Sequence, residues 1–280
     1  METAGISNSR RVSRWLVTGM MALLAIVFFF PMVWMVLSSF KSNQAIFSSP
    51  FSLPDSFDLS VWQEAWDAGN IGGYALNSAI VTGVSVFAIL VIGAAAAYAF
   101  SRYRFRGRNL ALGIFALGLL LPLQSYFIAQ SNLFTQLEIT DTRWALIVPY
   151  VAMGLPLAVY LLKVYLDGLP EELFEAARID GAGDVRIFWN VAAPLLRPGL
   201  ATVAIFSALS AWNEFLLALL YIQDDSLKTI PTGLLAFSDR YTTDYQLLFA
   251  ALSIVTIPMI VIYIVFNRHI VDGITAGSVK

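Results

Sequence analysis

Glu214 is the one acidic residue set deep inside an apolar run of this 280-residue chain, in Ser210-Ala211-Trp212-Asn213-Glu214-Phe215. A carboxylate in low dielectric is costly unless it is hydrogen-bonded, hydrated or protonated, so such a residue points to function by default. Asn213 beside it supplies a donor and an acceptor, and Trp212 a flat apolar ring suited to stacking on a sugar face. Two readings stand side by side: a polar station on a solute pathway, or a hydrogen-bonded tie between helices. Asn77, Ser78, Thr82, Ser85, Gln124 and Ser125 are weaker candidates of the same kind, for ligand contact or helix packing.

Other chemistries are excluded by what is missing. The chain has no cysteine, and its lone histidine, His269, makes no metal cluster, so no metal ligands are expected. An intramembrane enzyme would need clustered acids or histidines, which Glu214 and His269 alone do not make, so no catalytic residues are expected either. There is no GxxxxGK[ST] loop and no Gly-Lys pair, hence no P-loop nucleotide site in this chain. A proton-coupling Asp/His/Lys relay is absent from the apolar runs as well. If the chain moves solute uphill, the drive comes from another protein.

The elements that must position these residues follow from composition. The chain is 58% hydrophobic and 13% charged, with a mean hydropathy of +0.72, well outside the soluble range. Apolar runs at about 15–37, 76–100, 110–130, 144–166, 199–222 and 247–267 each have the ~20 residues that cross a ~30 Å hydrocarbon core. The first is too long for a signal peptide and is kept as a span bent at Pro31. The expected fold is therefore all-α, a single polytopic domain over 1–280 with six transmembrane helices. Of the 17 Lys and Arg, only Lys41, Arg143, Lys228 and Arg240 fall opposite the termini, which puts both termini in the cytoplasm. The RYRFRGR cluster at 102–108 reads as a lipid-headgroup anchor, not a nucleic-acid site. In the loop 38–75, Leu59, Trp62 and Trp66 have the spacing of a short interfacial helix. The loop 223–246 carries Asp224, Asp225, Asp239 and Asp244 and is a candidate docking surface. Pro31, Pro122, Pro149, Pro156 and Pro258 kink or break helices, and Gly93-Ala94-Ala95-Ala96-Ala97 permits close contact, inside the chain or with a partner.

Between the fourth and fifth runs lies a polar stretch from Leu169 to Pro198. Glu171, Glu172 and Glu175 follow Pro170, at the end of a short helix that favours negative charge. Leu173, Phe174 and Ala177 share one face, Asp180-Gly181-Ala182-Gly183 breaks the helix, and a second short helix has Val185, Phe188, Val191, Ala192 and Leu195 on one side. Such a pair is either a compact knob for another protein's groove or a surface connector.

Glu175-Ala176-Ala177, then Asp180-Gly181-Ala182, then Pro194 and Pro198 resembles the EAA signature of permease subunits in bacterial ABC importers. Where that family often has isoleucine or leucine directly before the proline, this chain has Ala193. Asn77-Ser78, Ala97-Tyr98-Ala99-Phe100-Ser101-Arg102, Trp212-Asn213-Glu214-Phe215 and the tail from Gly273 to Lys280 look like the carbohydrate branch, the maltose-type second permease (MalG-like). The resemblance implies the type I importer permease fold with cytoplasmic coupling helices in the 169–198 stretch, with Glu175, Ala176, Ala177, Arg178, Asp180 and Gly181 contacting an ATPase. It leaves Trp212, Asn213, Glu214 and Asn77 as pathway candidates. It also implies a bacterial plasma-membrane assembly with a homologous permease, two ATPase subunits that bind the ATP and Mg, and an extracytoplasmic sugar-binding protein. No cofactor is expected in this chain. A permease for glycerol phosphate or another non-sugar solute is the alternative, since those subunits share the signatures. The absence of basic residues deep in any run favours a neutral sugar.

Overall fold

A computed structural model describes the backbone of residues 4–122, 125–238 and 243–276 and, within these, the side chains of 14–122, 125–238, 243–261 and 264. Gln124, Asp239, Arg240, the His269 side chain and the tail from 277 lie outside the described residues. The fold is helical, and the described residues hold no strand beyond one isolated bridge between Ser238 and Thr243. In chain order the helices are α1 (Ala4–Ser38), α2 (Asn43–Ser48), α3 (Ser60–Ala68), α4 (Ile71–Arg102), α5 (Arg108–Leu120), α6 (Phe127–Gln136), α7 (Trp144–Asp167) and α8 (Glu172–Ile179). They are followed by α9 (Asp184–Leu195), α10 (Arg197–Trp212), α11 (Leu216–Tyr221), α12 (Ile230–Gly233) and α13 (Tyr245–Ala276).

All six apolar runs fall on helices, but two of them are not continuous. The third divides into α5 and α6 at Pro122, because Leu121 is held extended (φ −77, ψ 117) as the residue before a proline prefers. The fifth stops at Trp212 and resumes at Leu216. Among the described residues three helices are long and apolar enough to cross a membrane unaided, within Arg14–Ser38, Ile71–Arg102 and Trp144–Asp167. The pair α9–α10, bent by 74°, has that length and apolarity only when its two helices are taken together.

Packing groups the chain into two units, Met1–Gly69 with Leu234–Pro258, and Asn70–Gly233 with Met259–Lys280. The first is organised by aromatic rings and one buried cation. Phe40 lies between Phe57 and Trp62, and Trp34 meets the edge of Phe249. Lys41 is buried, and its Nζ donates to the carbonyls of Ser49, Pro50 and Ser52. Three carbonyl dipoles replace the water that an ammonium loses on burial, which fixes the 49–52 turn. α3 carries the expected interfacial residues: Trp62 bonds Ser39 Oγ at 3.0 Å, and Trp66 and the preceding Leu59 are exposed. In the same unit Asp244 caps α13 by accepting from the Leu247 N–H.

In the second unit α4 and α7 run parallel, since Asn77 meets Arg143 near their starts and Ser101 meets Asp167 near their ends. α5 and α6 form the crossover between them, and α10 returns alongside. Lipid is as apolar as leucine, so this pairing relies on close packing. A Cβ on Gly93 would lie only 2.9 Å from the Ala158 Cβ. Gly93, Ala94 and Ala97 are buried, so this face of the small-residue run packs inside the chain. One apolar cluster joins the second halves of α4 and α7 to α8, α9 and α10, and another joins α6 and α11 to the first halves.

Candidate functional site

The stretch after α7 folds as an elbow. α8 carries Glu172 and Glu175 in its first turn and Arg178 in its last, each matching the local helix-dipole sign. Its end is a Schellman turn: Ala182 N–H donates to Ala177 O and Gly181 N–H to Arg178 O, both at 3.0 Å. Gly181 has φ +79, a conformation that costs a side-chain-bearing residue free energy and glycine almost none. Phe174 is fully buried and Ala177 half-buried, while Glu171, Glu172, Glu175, Ala176, Arg178, Asp180 and Gly181 are exposed.

The second arm differs from its helical pattern. Residues Phe188–Ala192 form a π-helical segment, which widens the turn and rotates the inward face. Ile187, Ala192 and Leu196 are consequently buried, whereas Val185 and Leu195, expected on the packed side, are exposed. Leu173 of α8 is exposed as well. Five large apolar side chains around the elbow therefore face outward, most fully Ile179, Val185 and Trp189, at 84%, 74% and 59% exposure.

What holds the elbow comes partly from residues expected to serve as headgroup anchors. Arg104 and Arg106 are exposed in keeping with that role, but Arg102 and Arg108 turn inward. Arg108 Nε donates to Phe100 O at 2.8 Å. The Arg102 guanidinium carbon sits 3.6 Å from the centroid of the Phe174 ring, and its Nη2 donates to Leu166 O at 2.6 Å. Tyr98 meets the edge of Phe188. The pKa of the Tyr103 hydroxyl is pushed up to about 12, chiefly by burial and then by the nearby Asp184 carboxylate. The composition of 102–108 cannot separate inward from outward arginines, because direction depends on where α8 packs.

The break in the fifth run is built by Glu214. Its carboxylate accepts from the N–H groups of Leu217 (2.9 Å) and Ala218 (3.2 Å) at the start of α11, and from the Tyr150 hydroxyl of α7 (2.8 Å). Donors orphaned by a helix start inside an apolar region thus find an anion, and the anion finds donors. Asn213 caps the other side: its Nδ2 donates to Leu209 O at 2.8 Å. Glu214 also lines a cavity of about 140 Å³ with Tyr150, Met153, Phe206, Ser207 and Ser210 among its walls. Trp212 is half-buried outside those walls, so the structure does not gather Trp212, Asn213 and Glu214 around one space.

Asn77 lies elsewhere, near the start of α4. It is buried, donates to Ser226 O (2.7 Å) and Lys228 O (3.0 Å), and accepts from Arg143 Nη2 (2.8 Å). Ser78 Oγ accepts from Ile230 N–H. Both side chains thereby fasten the 223–230 loop. A residue that sequence reasoning missed, Asp141 (φ +58), fastens its beginning by accepting from Gln223 and Asp224 N–H. The Asp-Thr turn before the Trp144 helix was its only signal. Asp224 caps its own short turn through Ser226 N–H, which lowers its pKa, and Asp225 pairs with Lys228. Thr82 and Ser85 are buried with unpartnered hydroxyls, and Ser125 bonds Pro122 O. No cluster of three or more metal-ligating His, Cys, Asp or Glu occurs among the described residues.

Known proteins share this architecture. A bacterial ABC transporter that imports the acidic polysaccharide alginate has a chain that superposes with a TM-score of 0.80 at 22% identity, over 93% of this chain and 97% of that one. That likeness shows a common fold. The diacetylchitobiose uptake system permease protein NgcG of Streptomyces coelicolor is 38% identical over 99% of this chain and 92% of its own length. The trehalose/maltose transport system permease protein MalG of Thermococcus litoralis is 34% identical over 92% of this chain and 94% of its own. Residues 89–275 match the family described as the binding-protein-dependent transport system inner membrane component. That match takes in the elbow, its anchors and the Glu214 break, and the chain belongs to this family of transport-system permeases.

Proposed function

We propose that this chain is the membrane permease subunit of an ATP-driven sugar importer, forming half of a translocation pathway in a bacterial plasma membrane. It works with a homologous permease, two ATPase subunits that bind ATP and Mg, and an extracytoplasmic sugar-binding protein. It hydrolyses nothing itself, and both termini and the elbow face the cytoplasm. The carrying observation is the α8–α9 elbow: a rigid turn set by Gly181, with Glu175, Arg178 and the apolar Ile179, Val185 and Trp189 left uncovered. Exposed apolar groups ringed by charge fit a protein groove better than solvent. Charge-assisted contacts from Glu175 and Arg178 would orient the docking, and Ala176, Ala177 and Asp180 complete its face.

A neutral sugar is the favoured substrate because relatives named for diacetylchitobiose and for trehalose/maltose span nearly the whole chain. The cavity beside Glu214 agrees with it. Apolar walls from Met153, Leu157 and Phe206 suit a sugar ring, Ser207, Ser210 and Glu214 suit its hydroxyls, and no Lys or Arg lines it to receive a phosphate. Reconstituting the complete complex and measuring ATP-dependent uptake of diacetylchitobiose, maltose and glycerol 3-phosphate tests this reading. Uptake of glycerol 3-phosphate alone would refute the sugar assignment. Glu175→Lys or Gly181→Val should insert normally yet uncouple ATP hydrolysis from uptake, and wild-type uptake in both, at normal complex yield, would refute the coupling assignment.

A further inference from the structure

We propose that Arg102 is a positioning residue that locks the elbow to the ends of α4 and α7, so that a displacement of α8 moves both helices. This rests on the coupling role proposed above and names the linkage through which it acts.

One side chain makes both connections. Arg102 belongs to the last turn of α4; its Nη2 donates to Leu166 O in the last turn of α7, at 2.6 Å, and its guanidinium covers the ring of Phe174, the only fully buried side chain of α8. A planar guanidinium can bond a carbonyl in its plane while offering its face to a ring; a lysine ammonium cannot do both in this way. The nearby carboxylate does not divert it, because Asp167 is held by Lys163 and Ser101. Arg102 Nε is buried without a partner, a cost that a headgroup anchor in water would not incur. Apolar contacts slide, whereas a hydrogen bond plus a cation–ring contact fixes both distance and orientation. Tyr98 against Phe188 gives the second arm a parallel hold on α4.

The test exploits the lack of cysteine in this chain: Ser210→Cys places its only thiol at the Glu214 cavity, on a subunit of 30.8 kDa separable on a gel. In the assembled complex with its ATPase subunits, the labelling rate by a water-soluble maleimide is measured with and without ATP. Arg102→Met, Arg102→Lys and Phe174→Leu should each reduce the ATP-dependent change by at least about twofold, the scale of one partly exposed cation–ring contact. Phe174→Tyr, which keeps the ring face, should retain it. The Arg102→Met/Phe174→Leu double variant should lose no more than the worse single one. Wild-type change in both Arg102 variants, or losses that multiply in the double variant, overturns the proposal. Glu175→Lys separates the two readings. If it abolishes the change while the Arg102 variants keep it, only the clamp is wrong; if Glu175→Lys and Gly181→Val also keep it, the coupling role itself fails.

Discussion

Replacing Glu214 by alanine strands three donors at once: the N–H groups of Leu217 and Ala218 and the Tyr150 hydroxyl. Each buried donor left unpaired costs about 1–3 kcal/mol. Water can enter the 140 Å³ cavity alongside and satisfy part of the loss, so the low end applies and the sum is about 3 kcal/mol. Glutamine keeps one acceptor oxygen and should cost about 1–2 kcal/mol, and Tyr150→Phe, which removes one neutral partner, about 1 kcal/mol. At about 2 °C per kcal/mol for a chain of this length, the alanine variant should melt about 6 °C below wild type in detergent, followed by tryptophan fluorescence. Tyr150→Phe should add almost nothing in the alanine background, because the two groups share one hydrogen bond. An alanine variant melting within about 2 °C of wild type, or full additivity with Tyr150→Phe, would show that Glu214 does not cap α11 as described.

Three further outcomes are expected. Gly93→Val puts a Cβ within 2.9 Å of the Ala158 Cβ and adds two methyl groups to it, and should destabilise the α4–α7 pair by about 1–3 kcal/mol, read as a lower melting temperature and poorer monodispersity. Asn77→Ala frees the carbonyls of Ser226 and Lys228 and leaves Arg143 without its acceptor, at about 2–4 kcal/mol; trypsin should then cut after Lys228 faster than in wild type. The raised pKa of Tyr103 means that its contribution is fully present below pH 10, its ordinary value, and is lost as pH rises through about 12. The melting temperatures of wild type and Tyr103→Phe should accordingly converge across that interval, and parallel curves would count against the placement of the Tyr103 hydroxyl beside the Asp184 carboxylate.

Much of this protein is legible from its residues alone. Runs of apolar side chains long enough for a bilayer, the glycine that a positive-φ turn requires at 181, and Glu175 and Arg178 at opposite ends of one short helix are local properties, and α4, α7 and α8 appear where those properties put them. The sequence also isolated Glu214 as the one acid deep inside an apolar run. What it could not decide was direction. Arg102 differs from Arg104 only in what packs above it, and a π-helical segment over 188–192, which no 3.6-residue pattern anticipates, puts Ile187 instead of Val185 on the face shared with Ala192. Asn77 and Asp141 gain their partners from a loop about 80–150 residues away. Glu214 and Asn213 break the fifth run together, where side-chain and backbone hydrogen bonds compete, and the Tyr150 hydroxyl that completes the cap comes from another helix. Periodicity and propensity act over a few residues; the partner of a buried polar group is chosen by packing, and so only the tertiary structure assigns it.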